Sequence, residues 1–484
     1  MAADPRLLQE LAAVLGPGLL SSAEACVAFD CDALTAHRRS PDLVALPTSV
    51  EQVQDILRIC RRHSVPVVAR GSGTGLSGGA LPVAGGLLLV LSRLDQVLEV
   101  DPRRGLARVQ PGVTNLAVSE AAAPCGMYYA PDPSSQVACS VGGNVAENSG
   151  GVHCHKYGLT VHNVLEVKLV TMDGELLTLG AETGEAPGLN LLAVVIGSEG
   201  LLGVVVEVTV RLLPIPRRAE LLLAAFDDVG RCAEAVGQVI AAGIVPAGLE
   251  MMDAPAIRAA EAFAKCGYPL DAQALLLCEV DGLPADVDAE LARARTVLER
   301  AGATSVRVAA DADERSRMWS GRKSAFPAVG RLAPDYYCMD GTIPRRHLAD
   351  VLAQIKALSH KYGLDVANVF HAGDGNLHPL ILFDAGQDDE LERAERFGAE
   401  ILEACVAAGG TVTGEHGVGI EKLGPMCLQF SGAELEAFHA LKQAFDPAGL
   451  LNPGKAVPTL ARCADYGALH VHGGKLPHSH LPRF

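Results

Sequence analysis

The sequence predicts an α+β protein of two domains, and three observations carry the prediction. Short Val-, Leu- and Ile-rich runs bounded by Gly and Pro alternate with amphipathic helical stretches. An early strand runs into a glycine-rich loop with no helix behind it. At 214–218 the cluster Pro214, Pro216, Arg217 and Arg218 separates this part from a second one of regular strand–helix alternation. At 484 residues the chain can fill two or three cores.

In chain order, residues 1–38 read as a helical lead-in. Ser49 then caps an amphipathic helix whose apolar face is Val53, Ile56, Leu57 and Cys60. Strands are expected at 65–69, 86–91 and 105–111, with a helix at 115–123. The stretch 131–151, rich in Pro, Ser, Gly and Asn, leaves room for little regular structure. Strands resume at 164–172 and 175–178, then at 192–196 and 203–213. Beyond the boundary, strands at 220–226 and 274–280 each precede a helix, at 229–242 and 285–301, an order that resembles a ferredoxin-like arrangement. Helices at 347–362 and 388–408 follow, the second stopped by Gly409 and Gly410. Residues 458–484, rich in His, Gly and Pro, read as an extended tail.

Composition narrows the function classes. A net charge of −17 argues against nucleic acid as a partner, because phosphate binding needs clustered Lys and Arg. The thirteen cysteines are irregularly spaced and form no Cys-x-x-Cys pair, so no iron–sulfur cluster is expected in this chain. Single cysteines such as Cys60, Cys139, Cys278 and Cys405 read as small buried hydrophobes in a reducing, cytoplasmic setting. Met-Ala-Ala-Asp-Pro-Arg lacks the basic start and apolar run of a signal peptide. The most apolar stretch, 191–213, is broken by Glu199, Glu207 and several glycines, and reads as buried strands rather than a membrane span.

Gly73-Thr74-Gly75-Leu76-Ser77-Gly78 has the spacing of a dinucleotide loop, but Pro82, Gly85 and Gly86 stand where its helix would have to run. The nicotinamide reading fails on that context. What remains is a strand leading into a backbone nest able to bind phosphate, with a surface loop as the bland alternative. The segment 131–151 is too long for an idle loop, and a large cofactor lying against it would explain its small residues. Gly197-Ser198-Glu199-Gly200 supplies another turn of close approach.

His371-Ala-Gly-Asp374-Gly-Asn376-Leu-His378 and, further on, Gly414-Glu415-His416-Gly417 bring three imidazoles and a carboxylate into glycine-rich turns. Imidazole with carboxylate suits zinc and neighbouring divalent metals, and a further histidine is a proton acceptor near neutral pH. Histidines flanked by glycine also serve simply to satisfy turn backbones. In Trp319-Ser-Gly-Arg322-Lys323 a guanidinium could hold a substrate carboxylate bidentately, or the basic pair could be a solvated helix end.

Arg70–Ala80, Pro131–Ser135 with Gly142-Gly143-Asn144, and Gly197–Gly200 resemble the FAD-binding domain of the vanillyl-alcohol oxidase-like flavoproteins. His371–His378, Gly414–Gly417 and Leu451-Asn452-Pro-Gly-Lys455 resemble their D-2-hydroxy-acid dehydrogenase branch. The resemblance runs nearly end to end. It implies a two-subdomain FAD-binding domain at 39–217 and a ferredoxin-like α+β cap with the metal site at 218–457. The pyrophosphate would rest on Arg70, Gly71, Ser72, Gly73, Thr74, Gly75, Leu76, Ser77, Gly78 and Gly79. The rest of the cofactor would pass Pro131, Asp132, Ser134, Ser135, Gly142, Gly143, Asn144 and Gly150, and then Gly197, Glu199, Gly200 and Asn452. The loop at 70–79 has no histidine, so the FAD is expected to be non-covalent; His153 and His155 read as structural or substrate-adjacent. His371, His378 and Glu415 would hold a divalent metal, zinc or similar, with His416 as base and Arg322, less strongly Lys323, on the substrate carboxylate. The activity implied is oxidation of a small D-2-hydroxy acid, glycolate ahead of D-lactate; a non-catalytic flavin-binding scaffold is the alternative of another class. Tyr336-Tyr-Cys338 offers no cation for a second carboxylate, which disfavours dicarboxylates. The partners implied are a second flavin-fold subunit and an iron–sulfur subunit, with peripheral membrane association through them.

Overall fold

The computed structural model describes residues 4–184, 188–459 and Cys463. The expected extended tail lies almost wholly outside the described residues. Chain contacts divide the protein into two units. The first comprises the chain up to Ser149, Leu159–Ile215 and the chain from Glu415 on; the second comprises Gly150–Gly158 and Pro216–Gly414. The expected boundary at 217/218 falls two residues from the break at Ile215, but the second unit stops well short of the expected 457. Residues after Glu415 count with the first unit because hydrogen bonds described below tie them to its glycine loop.

In the first unit the lead-in helix is Pro5–Leu15, capped by Asp4 through the Arg6 N–H at 2.9 Å and burying Leu7, Leu11 and Leu15. Ser49 caps Val50–Arg62 as expected, its Oγ accepting from Gln52 N at 3.3 Å. That helix buries Val53, Ile56, Leu57 and Cys60. Behind it stands a four-stranded sheet in the order Leu19–Leu20, Leu43–Ala45, Leu87–Val90, Val67–Arg70. Its last three strands are parallel and nearly uniformly apolar, as strands covered on both faces must be. The second sheet is antiparallel, in the order Val97–Asp101, Leu106–Val109, Val204–Arg211, Val164–Val170, Leu176–Gly180. Val97–Asp101 went unread in the sequence because it is an edge strand that buries no face.

Two expectations need correction. The stretch 131–151 holds a helix, Val141–Glu147, whose Ser140 cap accepts from Gly143 N at 3.3 Å. Its glycines suggest a loop, yet Gly142 is there for packing: a Cβ would strike the Pro111 ring and backbone. The strand expected at 192–196 is instead a short helix, Leu191–Val195, capped by Asn190. An apolar run this short has no period to distinguish the two states, so the cap decides. Among the described residues no helix is long and apolar enough to cross a membrane.

The second unit is built on a seven-stranded antiparallel sheet. Four of its strands lie in the order Ser305–Val308, Arg218–Phe226, Ala274–Gly282, Gly248–Asp253. Numbered along the chain, these four stand fourth, first, third and second, with helices Val229–Ala241 and Pro284–Arg300 as crossovers; this is the ferredoxin-like arrangement. Val366–His371, Asn376–Phe383 and Asp335–Cys338 extend the sheet beyond Gly248–Asp253. Helices Leu348–Tyr362 and Glu390–Ala407 occur where expected.

Cys60, Cys139, Cys278 and Cys405 are free and buried, and burial pushes the Cys60, Cys278 and Cys405 thiols up to about 12. The reading of the cysteines as single thiols fails for one pair: Cys427 and Cys463 form a disulfide. A separation of 36 residues carries no signature of pairing in the sequence.

Asp253 offers a pH test of the second unit. Its carboxylate caps Ala254–Ala264 through Ala256 N at 3.2 Å and accepts from Asn368 Nδ2 at 2.7 Å. Burial, partly offset by these hydrogen bonds, raises its carboxyl from 3.8 to about 6. A raised carboxyl favours the fold below its unfolded value, and that contribution is lost as pH climbs through the folded value. Asp253→Asn keeps a cap acceptor, and the Asn368 amide can turn over because its Oδ1 has no hydrogen-bond partner among the described residues. The variant is expected to gain stability relative to the parent between pH 4 and 7, by about 3 kcal/mol in total. Denaturation midpoints across that range measure it; a gap that stays constant with pH refutes it.

Candidate functional site

The glycine loop leaves the C-terminal end of Val67–Arg70 and reaches Leu87–Val90 without a helix. Gly73 and Gly78 take φ of +74° and +75°, which places them in the left-handed region. A Cβ on Gly71 would meet Ser140 Oγ, and one on Gly78 would meet the Ile420 side chain. Arg70 curls beneath Gly73 and donates from Nη1 to Cys31 O at 2.7 Å. Gly71 and Gly73–Leu76 are half-buried and Ser72 is exposed, whereas Ser77, Gly78 and Gly79 are buried. The loop therefore has an open rim, Gly71–Leu76, and a packed base.

The base is held by residues distant in sequence. Ile420 N donates to Ser77 O at 3.0 Å. Asn452 Nδ2 donates to Gly79 O at 3.1 Å and to Glu199 O at 2.7 Å, and Lys455 Nζ donates to Gly79 O at 2.9 Å and to Leu81 O. Glu199, at φ +50°, turns its carboxylate onto Val418 N and Gly419 N, each at 2.7 Å. The structure thus places the Glu199 carboxylate and Asn452 Nδ2 on backbone, bracing the loop from behind. Glu147 joins Glu199 there, and burial together with Glu199 pushes its carboxyl well above the ordinary range. Burial lowers the Lys455 ammonium to about 7. The sequence reading assigned no site role to Glu147 or Lys455, which lie far apart along the chain.

Pro131 and Asp132 are buried, Ser135 is half-buried and Ser134 exposed; Gly142 and Gly143 are half-buried in the first turn of Val141–Glu147. Asn144 is buried and accepts from Asn115 Nδ2 at 3.1 Å. Gly197 and Gly200 take φ of +81° and +72°. Gly150, also named with the cofactor, counts with the second unit. Beside the loop lies a cavity of about 600 Å³ whose lining includes His37, Arg38, Arg39, Leu81, Ile420 and Lys455. Arg38 and Arg39 in the lining of this concavity suit a ligand carrying phosphates.

In the second unit, His371 ends Val366–His371 and His378 lies in Asn376–Phe383, the two strands joined by a tight turn. Asp374 Oδ1 accepts from Asn376 N at 3.1 Å, and Gly375 takes φ +83°. His378 stands opposite Val369, so it lies diagonally across from His371 on one sheet face. The two rings sit 5.0 Å apart, edge to face, both almost fully buried. His378 Nε2 is 3.5 Å from Asp340 Oδ1. Asp340, at 0 % exposure, also accepts from Thr413 Oγ1 at 2.6 Å and from Gly414 N at 3.0 Å.

The adjoining strand Gly248–Asp253 sets Glu250 directly opposite His371. Glu250 Oε1 meets His371 Nδ1 at 2.8 Å, and its Oε2 lies 2.6 Å from Arg322 Nη2. Arg322 sits in the last turn of Ala312–Lys323, 1 % exposed; Nη2 forms the ion pair with Glu250, and none of its three nitrogens makes a hydrogen bond among the described residues. Lys323 is exposed. Glu250 and Asp340 were given no role by the sequence reading; the one signal, an acid inside an apolar strand, applies to Glu250 alone. His153 Nε2 and Trp319 Nε1 share Glu279, at 3.3 and 2.6 Å, a structural arrangement. His155 lies against Gly373 of the histidine turn.

Glu415 and His416 open the stretch that returns to the first unit. His416 Nε2 lies 3.9 Å from Glu415 Oε1. One peptide bond joins Glu415 to Gly414, the amide held on Asp340. The second unit brings His371, His378 and Arg322 together; the first carries the glycine loop, Glu415 and His416.

Comparison with known proteins shows the family of the chain. Residues 41–180 match the family model for an FAD binding domain, and residues 215–456 match that for the C-terminal domain of FAD linked oxidases. The chain is 60% identical to the glycolate oxidase subunit GlcD of Escherichia coli K12, over 97% of this chain and 94% of that protein. It is 38% identical to the GlcD subunit of Bacillus subtilis over 94% of this chain and 97% of that one. Identity to the D-lactate dehydrogenase of Anaerostipes hadrus is 29%, over 93% of this chain and 97% of that one. Among solved structures, p-cresol methylhydroxylase superposes with a TM-score of 0.80 at 18% identity, covering 94% of this chain and 97% of that one. That likeness speaks to the fold.

The packed base of the loop can be tested by contrast. Gly78→Ala adds a methyl against Ile420 at φ +75°, whereas Gly85→Ala, at φ +69°, has nothing within 4 Å of its new Cβ. Gly85→Ala should cost only the backbone strain, about 1–2 kcal/mol. Gly78→Ala should cost clearly more and should lower the flavin retained per chain after gel filtration. Equal losses in the two variants would refute the packing role.

Proposed function

Because the chain belongs to the FAD-linked oxidase family, we propose that it oxidises glycolate to glyoxylate, with FAD bound non-covalently. The observation that carries this reading is a buried helix guanidinium joined through Glu250 to the first of two adjoining buried sheet imidazoles, within a chain 60% identical to a glycolate oxidase subunit. Non-covalent attachment is supported by the loop itself, which has no histidine or cysteine between Gly71 and Gly79. The open rim Gly71–Leu76 would hold the phosphates, with Pro131, Asp132, Ser134, Ser135, Gly142, Gly143 and Asn144 along the rest of the cofactor. The domain limits proposed are 39–217 for FAD and 218–457 for the cap.

Arg322 binds the substrate carboxylate through donors that Glu250 leaves unused; a guanidinium keeps its charge even when buried. His371, His378 and Glu415 would hold a divalent cation, which would supply Lewis-acid chemistry to the C2 hydroxyl. Asp340 fixes Gly414 and so sets where the chain enters Glu415. His416 takes the hydroxyl proton as general base. FAD, when bound, would supply the redox chemistry as the two-electron acceptor for the substrate's C2–H. Lys323, exposed at the helix end, takes no part.

The sequence has no Cys-x-x-Cys motif, so electrons must leave to other carriers. The relatives named as subunits support partner chains, here a second flavin-fold subunit and an iron–sulfur subunit, with peripheral association at the inner face of the cell membrane through them. D-lactate is the competing substrate, and a pocket separates the two acids by only about 1–3 kcal/mol. The 60% against 29% identity favours glycolate.

Anaerobic addition of glycolate should bleach the flavin band, and D-lactate should do so more slowly; no bleaching by either would leave only a scaffold role. Arg322→Ala is expected to raise the KM for glycolate and lower turnover while flavin content stays unchanged. Steady-state kinetics identical to the parent would remove its role. His416→Ala should slow flavin reduction by about 10²–10⁴-fold at saturating substrate. A rapid stopped-flow trace would assign the base elsewhere.

A further inference from the structure

Glu250 has no role in the proposed chemistry, yet it touches two of the groups that do. It is fully buried, and each of its oxygens meets a different partner: Oε1 meets His371 Nδ1 at 2.8 Å and Oε2 meets Arg322 Nη2 at 2.6 Å. The arrangement is fixed by backbone register, since Glu250 and His371 are directly opposed across neighbouring strands. Arg322 comes from a separate element, the last turn of Ala312–Lys323, and reaches the same carboxylate. A residue that merely filled space here would not need a charge, and an isolated buried carboxylate would be costly.

We infer that Glu250 is a positioning residue that locks the substrate-carboxylate anchor and a metal-ligand imidazole into one rigid element, an inference that rests on the roles proposed for Arg322 and His371. Glu250 holds the Nδ1 edge of the His371 ring, so the nitrogen this ring would turn toward a metal is Nε2, and a carboxylate on the far side of a ligating imidazole raises its basicity. On the other arm, Glu250 supplies the counter-charge that lets Arg322 stay buried, and fixes the direction in which its remaining donors point. Substrate and metal are then aligned through one side chain, so a shift at one is passed to the other.

The test is a zinc titration of the flavin-loaded protein, read by competition with a chromophoric chelator, alongside single-turnover flavin reduction by glycolate. Glu250→Gln should weaken zinc binding by about 10–100-fold. It should also slow flavin reduction at least tenfold even when zinc and glycolate are both saturating, because a displaced anchor is not restored by mass action. Glu250→Asp, which keeps the charge, should fall between parent and Gln. Unchanged zinc affinity, or full recovery of the rate at saturating zinc, overturns the inference. His371→Ala separates this from the underlying reading: if that change leaves zinc affinity intact, the ligand assignment has failed rather than the role of Glu250. Should Glu250→Gln not fold, the double variant Glu250→Gln with Arg322→Gln removes the unpaired charge. Its zinc affinity must still fall, and an unaltered value again overturns the proposal.

Discussion

A guanidinium taken out of water needs a carboxylate to meet it, because an unpaired buried charge costs several kcal/mol. Arg322 and Glu250 satisfy that demand in the core of the second unit, both 1% exposed or less. The demand also constrains the sheet. Glu250 has to stand in Gly248–Asp253 at a position where one oxygen faces the helix carrying Arg322 and the other faces His371. The antiparallel register Glu250↔His371 provides this, and the pairing Val369↔His378 then sets the second imidazole beside the first. The chemistry assigned to this unit follows from strand register in a buried sheet.

The first unit solves a different problem: keeping a glycine-rich loop in one shape. Glycines allow the positive φ and close approach that the loop needs, but they also leave it with the largest entropy to lose. The loop is held by bonds from residues far along the chain, Ile420, Asn452 and Lys455 onto Ser77, Gly79 and Leu81. Glu199 clamps the 418–419 backbone from the other side. A rim that stays open while its base is packed is pre-organised for a large ligand.

Local rules made much of the fold legible. The Ser49 cap with a 3.6-residue apolar period named its helix, and uniformly apolar runs bounded by Gly and Pro named the buried strands. Proline and glycine after the loop excluded a nucleotide-type helix, which the structure bears out. The reading failed where local rules compete: glycine at 142 and 143 hid a helix, and the run at 191–195 showed no period. Edge strand Val97–Asp101 was missed because it buries no face to pattern. The residues proposed for the site from sequence all lie in short motifs, whereas Glu250 and Asp340, which the fold sets against His371 and His378, were not among them.

The sequence by itself determined the composition of the site: which loop can cradle phosphate, which histidines sit in glycine turns, and which family the chain resembles. Each of these is a property of neighbours within a dozen residues, where spacing translates directly into geometry. Only the tertiary structure decided what those residues face. Glu250 meets His371 across 121 residues of chain, Asn452 meets Gly79 across 373, and Cys427 finds Cys463. Strand register and helix packing create such pairings, and no local spacing encodes them. The chain therefore shows which chemical groups are available, and the fold alone shows which of them are buried together and must neutralise one another.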